Sequence, residues 1–137
     1  MNTNKFIIGG IVGGVVSFLV GNFIFLFLFK TFFDENSFPI DVNAVKWVFG
    51  VLSSLCWGFT FAYILEKAKA TTMSTAVVTG VIAAVLIEAT FDFNFYSVGM
   101  VYKNLTIIAV DVALTGVAAA AICAAITLVN GMGKKAA

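Results

Sequence analysis

The chain has 137 residues, of which 61% are hydrophobic and 11% charged, with a single proline and a formal net charge of +1. Soluble domains carry about 25% charged residues, so this composition excludes an ordinary soluble domain and indicates an integral membrane protein. The near-neutral charge argues against a nucleic-acid partner. The sequence has no histidine, which excludes imidazole metal sites and Ser-His or Cys-His catalysis.

Four apolar segments follow one another along the chain, separated by short polar stretches. Each has about 20 residues or more, enough to cross a hydrocarbon core of ~30 Å. The sequence therefore predicts an all-α membrane protein: one domain over residues 1–137, an antiparallel bundle of four transmembrane helices. The predicted helices cover residues 6–29, 47–65, 75–96 and 104–129.

Small residues recur every four positions on the first predicted helix. They form two rows, Gly9, Gly13, Ser17 and Gly21, and beside it Gly10 and Gly14. Such rows let two helix backbones approach closely in a membrane. We expect them to pack the bundle. Because two rows exceed what one bundle needs, we also predict a homo-oligomer, with lipid or another membrane protein as further partners.

Aromatic residues surround the rest of this helix and mark the helix ends. The first helix carries Phe18, Phe23, Phe25, Phe27 and Phe29. Lipid contact is the expected role, with a pocket for a flat apolar ligand as the alternative; no cofactor is predicted. Trp47, Tyr96 and Tyr102 stand where helices meet the membrane interface, as in an aromatic belt.

Three carboxylates lie inside the last two predicted helices. Acids at bilayer depth are costly and usually face a partner, a cavity or an ion. At ~1.5 Å of rise per residue, Glu88 and Asp111 lie roughly 10–12 Å from the helix ends at Tyr96 and Asn104, and Asp92 about 6 Å. The same count brings polar residues of the first two helices to this level, namely Asn22, Ser53 and Ser54. A shared polar layer is predicted, because buried polar groups in lipid must satisfy one another.

Within this layer we expect Glu88 and Asp111 to face each other and share one proton, and Asp92 to pair with Lys30 or Lys103 at the rim. The favoured function is a structural or interaction bundle whose polar layer fixes the helix register. The alternative is a proton- or cation-linked carrier or channel using Glu88, Asp92 and Asp111. A water-filled cavity reaching the acids would favour transport, whereas a dry and fully paired cluster would favour structure.

The sequence contains no motif for catalysis or for metal binding. Intramembrane hydrolysis by paired aspartates stays open for Asp92 and Asp111. No catalytic residue and no metal site is predicted.

Lysine distribution predicts the topology. Four spans put both termini on one side, which carries five lysines against three on the other: Lys5, Lys67, Lys69, Lys134 and Lys135 against Lys30, Lys46 and Lys103. The positive-inside rule places both termini in the cytoplasm.

Several stretches resemble a group of small, uncharacterised four-span membrane proteins of flavobacteria and their relatives. They are residues 1–14 (MNTNKFIIGGIVGG), 18–21 (FLVG) and 29–33 (FKTFF), together with Asp92 and Asp111. After the second stretch that group tends to continue with Trp and Tyr-Gly, where this chain has Asn22, Phe23 and Ile24. The resemblance implies a multi-pass protein of the bacterial inner (cytoplasmic) membrane and supplies no activity.

Overall fold

The computed structural model of the chain describes residues 2–39 and 47–131, and its regular structure there is helical. The elements in chain order are α1 (Thr3–Asn22), a π-helical segment (Phe23–Leu28), α2 (Lys30–Asn36), α3 (Trp47–Lys67), α4 (Met73–Ser97) and α5 (Leu105–Val129). The predicted all-α fold is confirmed. Lys46, Lys134 and Lys135 of the topology prediction lie outside the described residues.

Four helices are long and apolar enough to cross a membrane. They are α1 continued by the π-helical segment, with 26 residues, and α3, α4 and α5, with 21, 25 and 25 residues. Each begins and ends within three residues of its predicted bounds. The short helix α2 was not predicted, since it lies beyond the end of the first apolar segment.

Polar side chains fix where these helices begin. The Asn2 carboxamide accepts a hydrogen bond from the Lys5 N–H at 3.2 Å, and Asn104 accepts one from Ile107 at 3.1 Å. Thr72 and Thr75 form a reciprocal capping box at the start of α4. These bonds satisfy N–H groups that the first helical turn leaves without partners.

Glycines set the contact between α1 and α3. A Cβ built on Gly13 would lie 3.0 Å from Gly58 Cα, and one on Gly14 would lie 2.9 Å from Leu55 Cα. Gly10 packs against Phe59, so residue numbers rise along α1 as they fall along α3. The two helices therefore run in opposite directions at a separation that side chains would prevent.

The close contact ends partway along the two helices. A Cβ on Gly21 of α1, or on Gly50 of α3, would meet nothing within 4 Å. The predicted rows of small residues are therefore in close contact with neighbouring helices from Gly9 to Gly14. This contact stops before Gly21, where α1 and α3 diverge. This divergence leaves space between the helices at one end.

The helix α5 supplies much of the core. Its residues Ile122, Cys123 and Ile126 are buried against Phe61 and Leu65 of α3. Gly80 of α4 packs on the Cys123 side chain, and a Cβ on Gly116 would touch Val85 at 3.4 Å. By contrast, α3 and α4 have little direct contact. The space between these two helices is therefore only loosely packed.

The end of α2 is bonded to the loop between α4 and α5. The Phe38 N–H donates to the Val101 carbonyl at 2.8 Å, and the Lys103 N–H donates to the Asn36 carbonyl at 3.0 Å. Ser37 and Tyr102 form an isolated antiparallel bridge. Because these bonds join backbone to backbone, α2 holds the loop in a fixed position beneath it.

Candidate functional site

Three carboxylates from α4 and α5 come together at the end nearest this loop. Glu88 and Asp92 are one turn apart on the same face of α4, and Asp111 faces them from α5. One carboxylate oxygen of each lies within 4.8 Å of the others. Asp92 is 1% exposed and Asp111 7%, while Glu88 is partly buried. We call Glu88, Asp92 and Asp111 the acid cluster. Its oxygens are close enough to hold a cation, and the same three residues are the ion-binding candidates of the carrier alternative.

The hydroxyl of Tyr102 bridges two members of the cluster. It lies 2.9 Å from Asp92 Oδ1 and 2.5 Å from Asp111 Oδ2. A phenol carries one proton and can donate one hydrogen bond. Either the phenol proton is shared between the two carboxylates, or one aspartate carries a proton of its own.

A strained turn delivers Tyr102 to the cluster. Gly99 and Val101 have positive φ angles of 70° and 65°, and the Tyr102 N–H donates to the Met100 carbonyl at 2.7 Å. The left-handed region is costly for a β-branched residue such as Val101. Burial, reinforced by the hydrogen bond to Asp111, raises the pKa of the Tyr102 phenol. The hydroxyl therefore keeps its proton and acts as a donor.

One oxygen of the cluster has no partner. Among the described residues, Asp92 Oδ2 is the buried side-chain polar atom without a hydrogen bond. Leaving a buried acceptor unsatisfied costs about 1–3 kcal/mol. A proton or a cation at this atom would remove that cost.

The expected lysine partners bind elsewhere. Lys30 pairs with Asp34 one turn along α2, and Lys103 Nζ donates to the Glu35 carbonyl at 2.9 Å. The predicted pairing of Asp92 with a rim lysine is not found in the described part of the chain. The reason is burial: Asp92 is 1% exposed and bonded to Tyr102 of the α4–α5 loop, whereas both lysines are exposed.

The predicted pair of Glu88 and Asp111 is brought together only in part. Both line one cavity, but the hydrogen-bond partner of Asp111 is Tyr102. Sequence reasoning assigned Tyr102 to an interfacial belt, whereas it is 8% exposed. The available signal was its position ten residues after Asp92 and nine before Asp111, directly after a glycine-containing turn.

The space left by the divergence of α1 and α3 is a cavity of about 450 Å³ between the four long helices. We call it the central cleft. Its polar lining comes from every long helix: Ser17, Asn22, Ser53, Ser54, Glu88, Asp111 and Thr115. The predicted polar layer thus meets around this cleft, with Asp92 behind it.

The polar groups of α1 and α3 do not form the hydrogen bonds across the bundle that the predicted polar layer implies. Asn22 Nδ2 donates to the Phe18 carbonyl at 2.6 Å, and Ser54 Oγ to the Gly50 carbonyl at 3.0 Å. Both bonds stay within their own helix, as is common for such side chains in helices. They leave the cleft open instead of bridging it.

Aromatic side chains form much of the remaining wall. They are Phe18, Phe25, Trp47, Trp57 and Phe61; Trp57 and Phe61 stack with ring centroids 5.3 Å apart. A second cavity of about 480 Å³, the lateral gap, lies between α3 and α4. Ser53, Trp57 and Glu88 line both cavities, so Glu88 stands at their junction.

Comparison with protein families, with curated proteins and with solved structures finds no match to this chain.

Proposed function

We propose that this chain is a small proton- or cation-linked carrier or channel whose acid cluster binds the ion. In this proposal it is a multi-pass protein of the bacterial inner membrane, an antiparallel bundle of four transmembrane helices with both termini in the cytoplasm. One observation carries the proposal: three carboxylates gather within 4.8 Å beside an open cleft, and Asp92 Oδ2 is buried without a partner.

Charge balance supports an exchangeable ion. Three carboxylates so close at bilayer depth, with Lys30 and Lys103 bonded elsewhere, cannot all be ionised without a compensating charge. Protons or a cation supply it. Because the central cleft reaches Glu88 and Asp111, the compensating ion has a path to the cluster.

A purely structural or interaction bundle is the second candidate, and the close glycine contacts of α1 favour it. Most of both glycine rows packs within one chain: Gly9 against Asn130 and Ile126, and Gly10 against Phe59, whereas Gly21 meets no neighbour. That takes away most of the surplus packing surface on which the homo-oligomer prediction rested, and oligomerisation itself stays a prediction. The cleft beside the acids is the feature that a structural role leaves unexplained.

Proton flux in proteoliposomes tests the proposal. With a pH-sensitive dye inside, the wild-type protein should dissipate an imposed pH gradient faster than empty liposomes, either alone or when Na⁺, K⁺ or Mg²⁺ is added. Glu88→Gln and Asp111→Asn should lose most of this flux. Glu35→Gln is the matched control, because Glu35 is an exposed acid on α2, and it should behave as wild type.

A folded wild-type protein that adds no flux under any of these gradients would overturn the carrier proposal and leave the structural bundle. Equal flux from Glu88→Gln and wild type would remove the acid cluster from the pathway.

A further inference from the structure

The walls of the central cleft combine two kinds of group that seldom meet in a simple ion path. Glu88 and Asp111 supply negative charge on one side, and aromatic rings, including Phe18, Phe25 and Trp57, form the others. No lysine lines the cleft among the described residues. Carboxylates and aromatic faces both attract a positive charge, and the rings do so best when the charge is carried by a weakly hydrated organic group.

The size of the cleft also favours an organic ligand over a bare metal ion. A volume of about 450 Å³ falls within the range of roughly 300–1,000 Å³ that small-molecule sites occupy. Calcium or magnesium would need about six or more oxygen ligands around one point. The cleft instead offers two carboxylates at one side of a mostly apolar space.

We propose that the central cleft binds an apolar organic monocation of the quaternary ammonium or phosphonium class. Its charge lies beside Glu88 and Asp111, and its apolar groups lie against Trp57 and the neighbouring rings. This inference rests on the proposed function, since it names the class of cation handled at the same site.

The lateral gap gives such a ligand a route from the bilayer. It opens between α3 and α4, where these helices have little direct contact, and it shares Trp57 and Glu88 with the cleft. Its wall also includes the apolar Ile87, Phe91 and Phe95, beside Ser53, Cys56 and Thr60. An apolar cation dissolved in the membrane meets Glu88 at the junction of the two cavities.

Two probes of nearly equal shape and opposite charge test the proposal. Tetraphenylphosphonium should bind the purified protein saturably, and tetraphenylborate should not, after subtraction of protein-free micelles. The only two tryptophans of the chain, Trp47 and Trp57, both line the cleft, so binding should quench tryptophan fluorescence. Calorimetry provides the affinity independently of the fluorophores.

Substitutions then locate the site. Glu88→Gln should weaken tetraphenylphosphonium binding about tenfold, the equivalent of ~1.4 kcal/mol, and Trp57→Leu should weaken it by a similar factor. Phe27→Leu is the matched aromatic control, because Phe27 is 74% exposed on the outer surface, and it should bind as wild type. Circular dichroism verifies that each variant is folded; if Glu88→Gln is not, Asp111→Asn takes its place.

Equal binding of the two probes, or unchanged affinity in folded Glu88→Gln, would overturn the proposal. Either result would show that the cleft recognises apolar groups and not positive charge. No saturable binding would overturn it as well. Such failures leave the flux measurement intact: a protein that carries protons but binds no phosphonium retains the proposed function and loses only this ligand class.

Discussion

At the scale of single residues, one hydroxyl proton serves two carboxylates. The Tyr102 hydroxyl is within hydrogen-bond distance of both Asp92 and Asp111. We predict that the pair also holds one carboxyl proton of its own, because the phenol has a single proton for two acceptors. Substitutions that change hydrogen-bonding groups while preserving shape are the direct test of this arrangement.

Tyr102→Phe removes the hydroxyl and keeps the ring. We expect a loss of about 1–3 kcal/mol in the free energy of unfolding, because two buried carboxylates lose their donor. Unfolding in mixed micelles measures it. Tyr96→Phe, at an exposed position, should change stability little; equal effects of the two changes would mean that the bridge contributes nothing specific.

The carboxyl proton can be observed directly. At neutral pH, infrared spectra of the wild-type protein should contain the carbonyl band of a protonated carboxylic acid. The double variant Asp92→Asn, Asp111→Asn should lose most of that band, whereas Asp34→Asn, which changes an exposed acid, should keep it. Absence of the band in wild type would show that a bound cation, and not a proton, compensates the cluster.

At the scale of helices, α3 contains two glycines in opposite environments. A Cβ on Gly58 would overlap the backbone of α1 at Gly10 and Gly14, whereas one on Gly50 would meet empty space. Close packing therefore ends between them, and the cleft begins. The same substitution at both positions separates packing from any general effect of alanine.

Gly58→Ala should destabilise the fold by about 1–3 kcal/mol, the usual cost of overpacking. Gly50→Ala should stay within about 0.5 kcal/mol of wild type. Both are measured by the same unfolding titration. A similar response from the two variants would contradict the close α1–α3 contact.

Sequence patterns predicted the long helices well, because about 20 apolar residues between polar caps can form little else in lipid. They also brought Asn22, Ser53, Ser54, Glu88 and Asp111 to one level, since depth follows directly from helical rise. The depth of a residue along a helix does not show which way its side chain points or which other elements pack over it. The burial of Asp92 and the role of Tyr102 depend on α2 and on the positive φ of Val101, which apolar periodicity does not encode.

At the scale of the whole molecule, orientation in the membrane follows from lysines and stays a prediction. Lys67 ends α3 and Lys69 follows in the loop to α4, and the opposite side carries Lys30 and Lys103. The bias is small, so it is tested best by two positions on opposite sides.

Single cysteines at Ser37 and Thr72, in a Cys56→Ser background, provide that test; the remaining Cys123 is buried. In intact cells an impermeant thiol reagent should label Ser37→Cys and leave Thr72→Cys unlabelled until the membrane is permeabilised. The reverse pattern would invert the proposed topology.

The short distance in sequence between Asp92, Tyr102 and Asp111 has a consequence for biogenesis. All three lie within α4, the following loop and α5, with Tyr102 ten residues after Asp92 and nine before Asp111. Closing so short a loop costs little chain entropy. In the proposed membrane setting, we therefore expect the segment from α4 to α5 to insert with its two buried acids already bonded through Tyr102. The costly charges do not have to wait for α1 and α3 to assemble around them.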